Sequence, residues 1–385
     1  MKIALDARWI FPETSGIGQH TKLLIRQLSE IHTTHFFILL FDDEERAQRI
    51  KEELNCQWKH AVLPYGLFSM HNQFKLAGWL KHREVDVYHS TNYMMPLWRF
   101  PRHRAGAVKA VITIHDLIPM VYRDHAPKSR KSQLYPVYAW LMRQVAARAD
   151  RILTVSESSA RDVRSLLKLS DSGKKKLRVV YNGLDPVFHE PHDVPRHDPP
   201  EILYVGRLDP YKNVPQLVSA FSESIRDLPS GTRLRIIGPP DERYPEAMAL
   251  ARQLDLFPRM DWEGHVDFET LVDAYRRASV VVLPSEYEGF GLPVAEAMAC
   301  GTPVICSDAS SLPEVGGDAA RYVPPGDLFA LVDALREVLN DKTLRDRMIQ
   351  KGRAQAVRFQ GRTMAEETLK VYEDVISGNN VTESG

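Results

Sequence analysis

Two glutamates separated by seven residues, Glu288 and Glu296, bracket the segment Gly289-Phe290-Gly291-Leu292-Pro293. The short apolar run before them, Val280 to Leu283, predicts a buried strand. Pro293 suits the first turn of a helix, Val294 to Cys300 continues it, and Gly301 suits its end. Thr302 to Cys306 predicts a second buried strand and completes a parallel βαβ unit. Glu288 then falls in the loop ahead of the helix, and Glu296 in its first turns. In an open parallel sheet such loops line the crevice at the carboxyl ends of the strands, where ligands bind. A helix start offers unbonded amides and partial positive charge, glycines allow close approach, and carboxylates accept from hydroxyls. A phosphorylated, hydroxyl-rich ligand fits that chemistry. The plainer reading of Glu296 alone is an acid complementing a helix dipole.

Other candidates sit at similar places. Arg207 ends a strand predicted over Glu201 to Val205, and Lys212 shortly precedes a helix that starts near Val214. Cations there suit a diphosphate, whereas the plainer reading is two surface charges. His89 and His115 each end a predicted strand, Val85 to His89 and Val108 to His115. His89 reads as a satisfied structural side chain. Gly16-x-Gly18 echoes a dinucleotide-binding loop, with Thr21 where the third glycine would stand, and is weak by itself.

The elements that must position these residues alternate along the chain. Strands are predicted at Lys2 to Asp6, His35 to Phe41, Ile152 to Val155 and Leu177 to Tyr181 in the first half. Leu234 to Ile237, Met260 to Trp262 and Ala319 to Val323 follow in the second. Helices follow Ser15 and Ser156 as caps, and run over Asp42 to Leu54, from Glu269, over Leu328 to Leu339 and over Thr363 to Ile376. Residues 190–200, with four prolines among charged residues, read as a linker.

The stretch EGFGLPVAEAMACGTPV resembles the signature of the retaining glycosyltransferases of family 4, which have the GT-B fold. Their two glutamates enclose G-F-G-L-P, as Glu288 and Glu296 do here, and the resemblance runs over nearly the whole chain. It implies an α/β chain of two Rossmann-like, doubly wound domains facing each other across a deep cleft. The first, residues 1–190, would bind acceptor, joined by the C-terminal helix 363–376. The second, residues 191–362, would bind a nucleotide-sugar donor, and the tail 377–385 would be disordered. The resemblance also implies site roles. Arg207 and Lys212 hold the donor diphosphate, and Glu296 takes the ribose. The loop around Val266 lies against the base. Glu288, Gly289, Phe290, Gly291 and Leu292 surround the transferred sugar. His115 matches a family His-Asp pair beside that sugar and counts, with Glu288, as catalytic. The Gly16 and Gly18 loop touches donor phosphate or acceptor. Both a covalent intermediate on Glu288 and same-face attack, with the departing phosphate taking the acceptor proton, fit these residues.

The opening DARW…SGIG and the IHDLIP segment look most like bacterial mannosyltransferases of cell-surface polysaccharide assembly. That implies α-mannose transfer from GDP-mannose, with UDP-sugars as alternative donors. An epimerase on the same fold and a non-catalytic nucleotide-sugar-binding module are the rival classes. The full set of Arg207, Lys212 and both glutamates weighs against each. No Asp-x-Asp pair occurs in the first half, and the acids at 42–44 open a helix, so no divalent metal is expected; the nucleotide sugar is a substrate, and no cofactor is expected.

Length and composition set the frame. The 385 residues suffice for two domains, and 44% hydrophobic and 26% charged content is that of a globular protein. Asp6 and Arg8 interrupt the opening apolar run, so no secretory signal is read, and no stretch reaches spanning length. Cys56, Cys300 and Cys306 have no paired spacing, which predicts reduced thiols in a cytoplasmic protein. The net charge of zero divides unevenly. Residues 1–190 hold 29 Lys and Arg against 19 Asp and Glu, a balance of +10, and the remainder carries −10. Lys128, Arg130, Lys131, Arg143, Arg148 and Arg151 interleave with Tyr135, Tyr138, Trp140, Leu141 and Met142, and residues 94–104 have a similar mixture. A helix of that kind lies at an anionic headgroup layer, or packs its apolar stripe on its own core. The first reading predicts peripheral attachment to the inner membrane face and a lipid-linked glycan acceptor, with no nucleic-acid partner.

Overall fold

The computed structural model of the protein describes residues 1–11, 15–97, 100, 108–122 and 134–378. Its described residues form two units. The first comprises 1–117, 134–183 and 361 onward, and the second 118–122 and 184–360.

The first unit is built on seven parallel strands: β1 (Lys2–Asp6), β2 (Phe36–Phe41), β3 (Lys59–Val62), β4 (Val87–Ser90), β5 (Lys109–Ile114), β6 (Arg151–Thr154) and β7 (Leu177–Val179). Their order is β3-β2-β1-β4-β5-β6-β7. Central strands are buried on both faces, which is why β1 and β5 read as apolar runs rather than alternations. The chain leaves β1 toward one edge and returns at β4 to continue toward the other, so β1 and β4 flank the switch point of a doubly wound sheet. The helix Gly16–Glu30 is capped by Ser15, whose Oγ accepts from the Gly18 amide at 3.1 Å. The helix Gly361–Ser377 packs in the same core, where Met364, Val371, Tyr372 and Val375 join Ile3, Leu24 and Leu28.

The second unit holds six parallel strands: β8 (Glu201–Val205), β9 (Arg233–Ile237), β10 (Met260–Glu263), β11 (Val280–Leu283), β12 (Val304–Ser307) and β13 (Arg321–Val323). Their order, β10-β9-β8-β11-β12-β13, puts the switch point between β8 and β11. Leu292–Ala299 is the helix of the βαβ unit that begins with β11, and carries proline in its first turn.

The proline-rich segment read as a linker over 190–200 falls within the second unit, and the units divide ahead of it, between Gly183 and Leu184. Leu184 bridges to Gln360, Phe188 packs edge-on to Tyr275, and the His192 ring hydrogen-bonds the Cys300 carbonyl at 2.9 Å. The Arg196 guanidinium donates to the carbonyls of Ala278 and Gly301. The segment's polar side chains thus cap backbone acceptors that the helix ends leave over. The acids at 42–44 do open a helix, Glu44–Glu53: Asp43 caps it at the Arg46 amide, 2.7 Å, and Asp42 pairs with the Arg46 side chain at 2.8 Å. All three cysteines are free and buried. Among the described residues, no helix is long and apolar enough to cross a membrane. Of the basic-aromatic stretch, Tyr135–Arg148 is a helix, whereas Lys128, Arg130 and Lys131 lie outside the described residues, as do 98–99, 101–104 and 379–385.

Candidate active site

In the second unit, two loops leave the carboxyl ends of adjacent strands and are tied together. After β8, Gly206 and Arg207 lead to a 3₁₀ turn, Pro210–Lys212, and then to the helix Val214–Ser224. The Tyr204 hydroxyl donates to the Arg207 carbonyl at 2.6 Å and holds the turn from beneath. After β11, Ser285 to Gly291 precede the helix Leu292–Ala299. The Glu286 amide donates to the Tyr211 carbonyl at 2.7 Å, joining the loops through their backbones. The Lys212 Nζ donates to both Glu288 oxygens at 2.7 Å, joining them through charge. Both side chains are nearly buried, at 14% and 9% exposure. Burial would lower the Lys212 pKa, and the Glu288 carboxylate beside it outweighs burial, so the ammonium stays charged above its ordinary range. The Ser285 hydroxyl adds a third bond to Glu288, 2.7 Å to Oε1.

Serines hold the glycine loop in place. Ser310 Oγ accepts from the Glu288 amide at 2.7 Å, and Ser311 Oγ lies 2.9 and 2.8 Å from the carbonyls of Glu288 and Phe290. Gly291 turns the chain into the helix with φ of 101°, and a Cβ there would stand 2.7 Å from Leu312 Cδ2. Val294 and Ala295 donate to the Gly291 carbonyl and Pro293 has no amide hydrogen, so Leu292 carries the donor left over in this turn. Arg207 is 65% exposed, bonds the Tyr211 hydroxyl at 2.9 Å and pairs with buried Asp209 at 3.1 Å. Glu296 is half-buried, and its Oε2 accepts from the Tyr275 hydroxyl at 2.7 Å. Burial pushes the Glu296 carboxyl up to about 7, against the pull of that hydrogen bond. Val266, half-buried, follows β10 at the same edge of the sheet.

In the first unit, a second polar group gathers at the carboxyl edge of the other sheet. His115 follows β5, and its Nε2 lies 2.9 Å from the Thr91 carbonyl. A carbonyl only accepts, so Nε2 carries the proton and Nδ1 of the neutral ring is an acceptor. Burial lowers the His115 pKa although Thr91 and Asp116 push the other way. The His20 ring stands edge-on to it, centroids 4.7 Å apart, and His20 Nδ1 is 2.9 Å from Asn182 Oδ1. His89 has both nitrogens occupied, by the hydroxyls of Tyr372 at 2.6 Å and Thr113 at 2.9 Å, and burial lowers it to about 3. Thr21, at the place of a third glycine, sets its hydroxyl 2.8 Å from that of Thr91 and ties its helix to the end of β4. A Cβ on Gly16 would meet nothing within 4 Å among the described residues.

Comparisons with known proteins agree with this pairing of units. Residues 14–188 match the family described as "Glycosyltransferase Family 4", and residues 189–355 match "Glycosyl transferases group 1". An O-antigen chain mannosyltransferase B of Escherichia coli is 30% identical over 74% of this chain and 74% of its own length. The chain belongs to the family 4 glycosyltransferases. A second relative of this glycosyltransferase is the MMP alpha-(1->4)-mannosyltransferase of Mycolicibacterium hassiacum, 31% identical over 85% of this chain and 79% of that one. A glycogen synthase of Mycobacterium tuberculosis is 29% identical over 81% and 73%. Among solved structures, sucrose-phosphate synthase from Thermosynechococcus elongatus superposes with a TM-score of 0.75 at 21% identity, covering 98% of this chain and 100% of that one. That likeness concerns the fold, two parallel-sheet Rossmann-like units of the GT-B class.

Within the second unit of this glycosyltransferase, Lys212 and Glu288 meet directly, and Gly289 to Leu292 stand beside them. Arg207 reaches Tyr211, the neighbour of Lys212. Glu296 faces Tyr275 instead of either cation. His115, Gly16 and Gly18 belong to the first unit. The residues that hold the site, Tyr211, Ser285, Ser310, Ser311 and Tyr275, were not singled out from sequence. Tyr211 and Ser285 flank positions that were, and their adjacency to Lys212 and to the end of β11 was the available signal. Tyr275 gives none, because its link to Glu296 spans 21 positions and arises only when helix Phe268–Arg277 packs beside Leu292–Ala299. His20 lies in the amphipathic helix Gly16–Glu30, where a single polar residue gives no local signal of a site.

Proposed function

We propose that this glycosyltransferase moves α-mannose, with retention, from GDP-mannose to a hydroxyl of a lipid-linked glycan during cell-surface polysaccharide synthesis. The observation that carries the donor reading is the Lys212–Glu288 pair spanning the β8–β11 switch point. It sets a buried cation and a carboxylate where a doubly wound sheet binds its ligands. Lys212 and Arg207 take the diphosphate, whose negative charge grows as the sugar leaves. Fixed cations at that position lower the barrier because they need no reorganisation. The Leu292 amide adds a donor. Glu288 accepts from hydroxyls of the transferred sugar, and Glu296 from the ribose, with Val266 against the base. His115 accepts from a sugar hydroxyl through Nδ1 and, being neutral, leaves the positive charge of the sugar ring unopposed. The departing phosphate takes the acceptor proton as the new bond forms on the same face. With cations supplied by side chains, the reaction needs no metal and no cofactor.

The mannose reading draws support from the two mannosyltransferases among the relatives. The glycogen synthase relative supports a second reading, transfer of another hexose from a UDP-sugar donor at the same residues. A donor screen tests both: turnover with GDP-mannose in EDTA is the expected result, and turnover with UDP-sugars alone overturns the mannose assignment.

Attachment to an anionic membrane surface rests on the helix Tyr135–Arg148. Its inner face buries Tyr138, Met142 and Val145, while Val137, Trp140 and the adjoining Leu134 stand exposed beside exposed Arg143. A headgroup layer suits that outward stripe. Arg148, bonded to the Leu97 carbonyl at 2.9 Å, serves the fold. Co-sedimentation with anionic vesicles at low salt, weakened in Trp140→Ser, is expected. Protein remaining in the supernatant overturns this part.

A further inference from the structure

Two phenylalanines in the first unit stand in water although a buried ring lies beside each. Phe11 is 45% exposed and Phe68 is 62% exposed. Both pack edge-on against Trp9, with centroids 6.0 Å and 5.8 Å away and planes at 83° and 88°. Trp9 itself is buried and donates from Nε1 to Ser90 Oγ at 3.2 Å. Tyr93 completes the cluster, 5.6 Å from Trp9 and 6.4 Å from Phe68. The sequence brings these rings from three strand ends. Trp9 and Phe11 follow β1, Phe68 follows β3 and Tyr93 follows β4, so they share the carboxyl edge that also presents His115.

The loops are locked to each other from below. Arg8 is fully buried and bonds Asp6 through Nε at 2.8 Å and Nη2 at 2.7 Å. Its Nη2 also reaches Asn72 Oδ1 at 3.0 Å and its Nη1 the Tyr65 carbonyl at 3.3 Å, while Asn72 donates to the Leu67 carbonyl at 2.8 Å. One guanidinium thus joins the segment carrying Phe11 to the segment carrying Phe68. A pair of exposed rings held this firmly is pre-organised, which lowers the ordering cost of binding.

We propose that Phe68 and Phe11 form a stacking subsite for a neutral pyranose ring of the acceptor glycan, resting on the reading of the first unit as the acceptor side. The C–H face of a pyranose carries partial positive charge and suits the negative face of a phenyl ring. The surroundings favour a sugar over an acyl chain. Tyr93, next to Phe68, packs edge-on to Tyr138 with centroids 5.8 Å apart, and the Asp116 carboxylate acts electrostatically on both phenols, so the surroundings are polar as well as aromatic. Sugar hydroxyls hydrogen-bond such groups, whereas an aliphatic chain only strips their water.

The test uses the full chain with methyl α-mannopyranoside, methyl α-glucopyranoside and methyl α-galactopyranoside as probes in saturation-transfer NMR. At least one probe should receive saturation on the protons of one ring face. Its affinity should fall roughly tenfold in Phe68→Ala and in Phe68→Leu, and stay near wild type in Phe68→Trp. Affinity for the nucleotide donor should be unchanged in all three, and because Phe68 is exposed the variants should keep the wild-type melting curve. No saturation from any probe, or equal affinity in Phe68→Leu, overturns the subsite, the latter result favouring an aliphatic occupant. If wild-type protein binds a probe as described yet turns over no nucleotide sugar, the transferase reading fails and the subsite stands.

Discussion

Lys212 is bonded to Glu288, so each residue has a nearly buried, charged partner. Removing one partner of such a pair costs about 3–5 kcal/mol, because the other charge stays buried without compensation. Lys212→Ala should therefore destabilise the protein by about that amount, and Lys212→Ala/Glu288→Gln by distinctly less. Urea unfolding of the four proteins of this cycle gives the answer. The same Lys212→Ala change should weaken nucleoside diphosphate binding at least tenfold, from the loss of roughly 1.5–3 kcal/mol in charge-assisted bonding, which titration calorimetry measures. Glu296 adds a pH dependence. Its carboxyl is raised to about 7 in the folded protein. Between its unfolded value near 4.5 and about 7, the folded chain keeps a proton that the unfolded chain has lost. Its contribution to stability therefore falls as pH rises across that window. Glu296→Gln should remove this slope, so its melting temperature relative to wild type should climb between pH 5 and pH 8. At this scale the sequence was readable as letters: Glu288, Glu296, Arg207 and Lys212 stood out by type and spacing. Their partnerships were not, since Lys212 and Glu288 are 76 positions apart and no local pattern couples them.

The element that sets the site is the loop-to-helix turn at Gly291. Its φ of 101° is strained for any L side chain, and an added Cβ would also press on Leu312. Gly291→Ala should cost about 1–3 kcal/mol from the backbone alone and a further amount from the contact. Leu312→Ala in the same chain should relieve the contact and leave the backbone share, as paired melting curves would show. Strands with uninterrupted apolar runs, such as β1, β8 and β11, were legible because both their faces are buried. β3 was not: Lys59-His60-Ala61-Val62 is an edge strand whose four side chains are exposed or half-buried, so it has neither a run nor a clean alternation. The helices Met70–His82 and Lys342–Ala356 were missed for a related reason. Each buries only three residues, Asn72, Leu76 and Leu80 in one and Met348, Gly352 and Ala356 in the other, and small or polar members blur the apolar stripe.

At the scale of the whole chain, the two units are interleaved in sequence. The first unit is built from residues 1–117, 134–183 and 361 onward, with the second unit's 184–360 inserted before its last helix. That helix supplies Met364, Val371, Tyr372 and Val375 to the first unit's core, and the Tyr372 hydroxyl satisfies buried His89 at 2.6 Å. A fragment of residues 1–183 should accordingly be poorly folded. A synthetic peptide of residues 361–378 added in trans should raise its helicity and melting cooperativity, and a fragment that folds fully without the peptide would contradict this. The apolar face of the helix signalled that it packs on something; nothing in its own letters says on which unit. Its position also has a temporal meaning. On the ribosome, at about 5–20 residues per second, the second unit's entire stretch emerges while the first unit still lacks a wall of its core. The unit begun first is thus the one finished last, and its open side must wait, chaperoned or shielded, until translation reaches Tyr372.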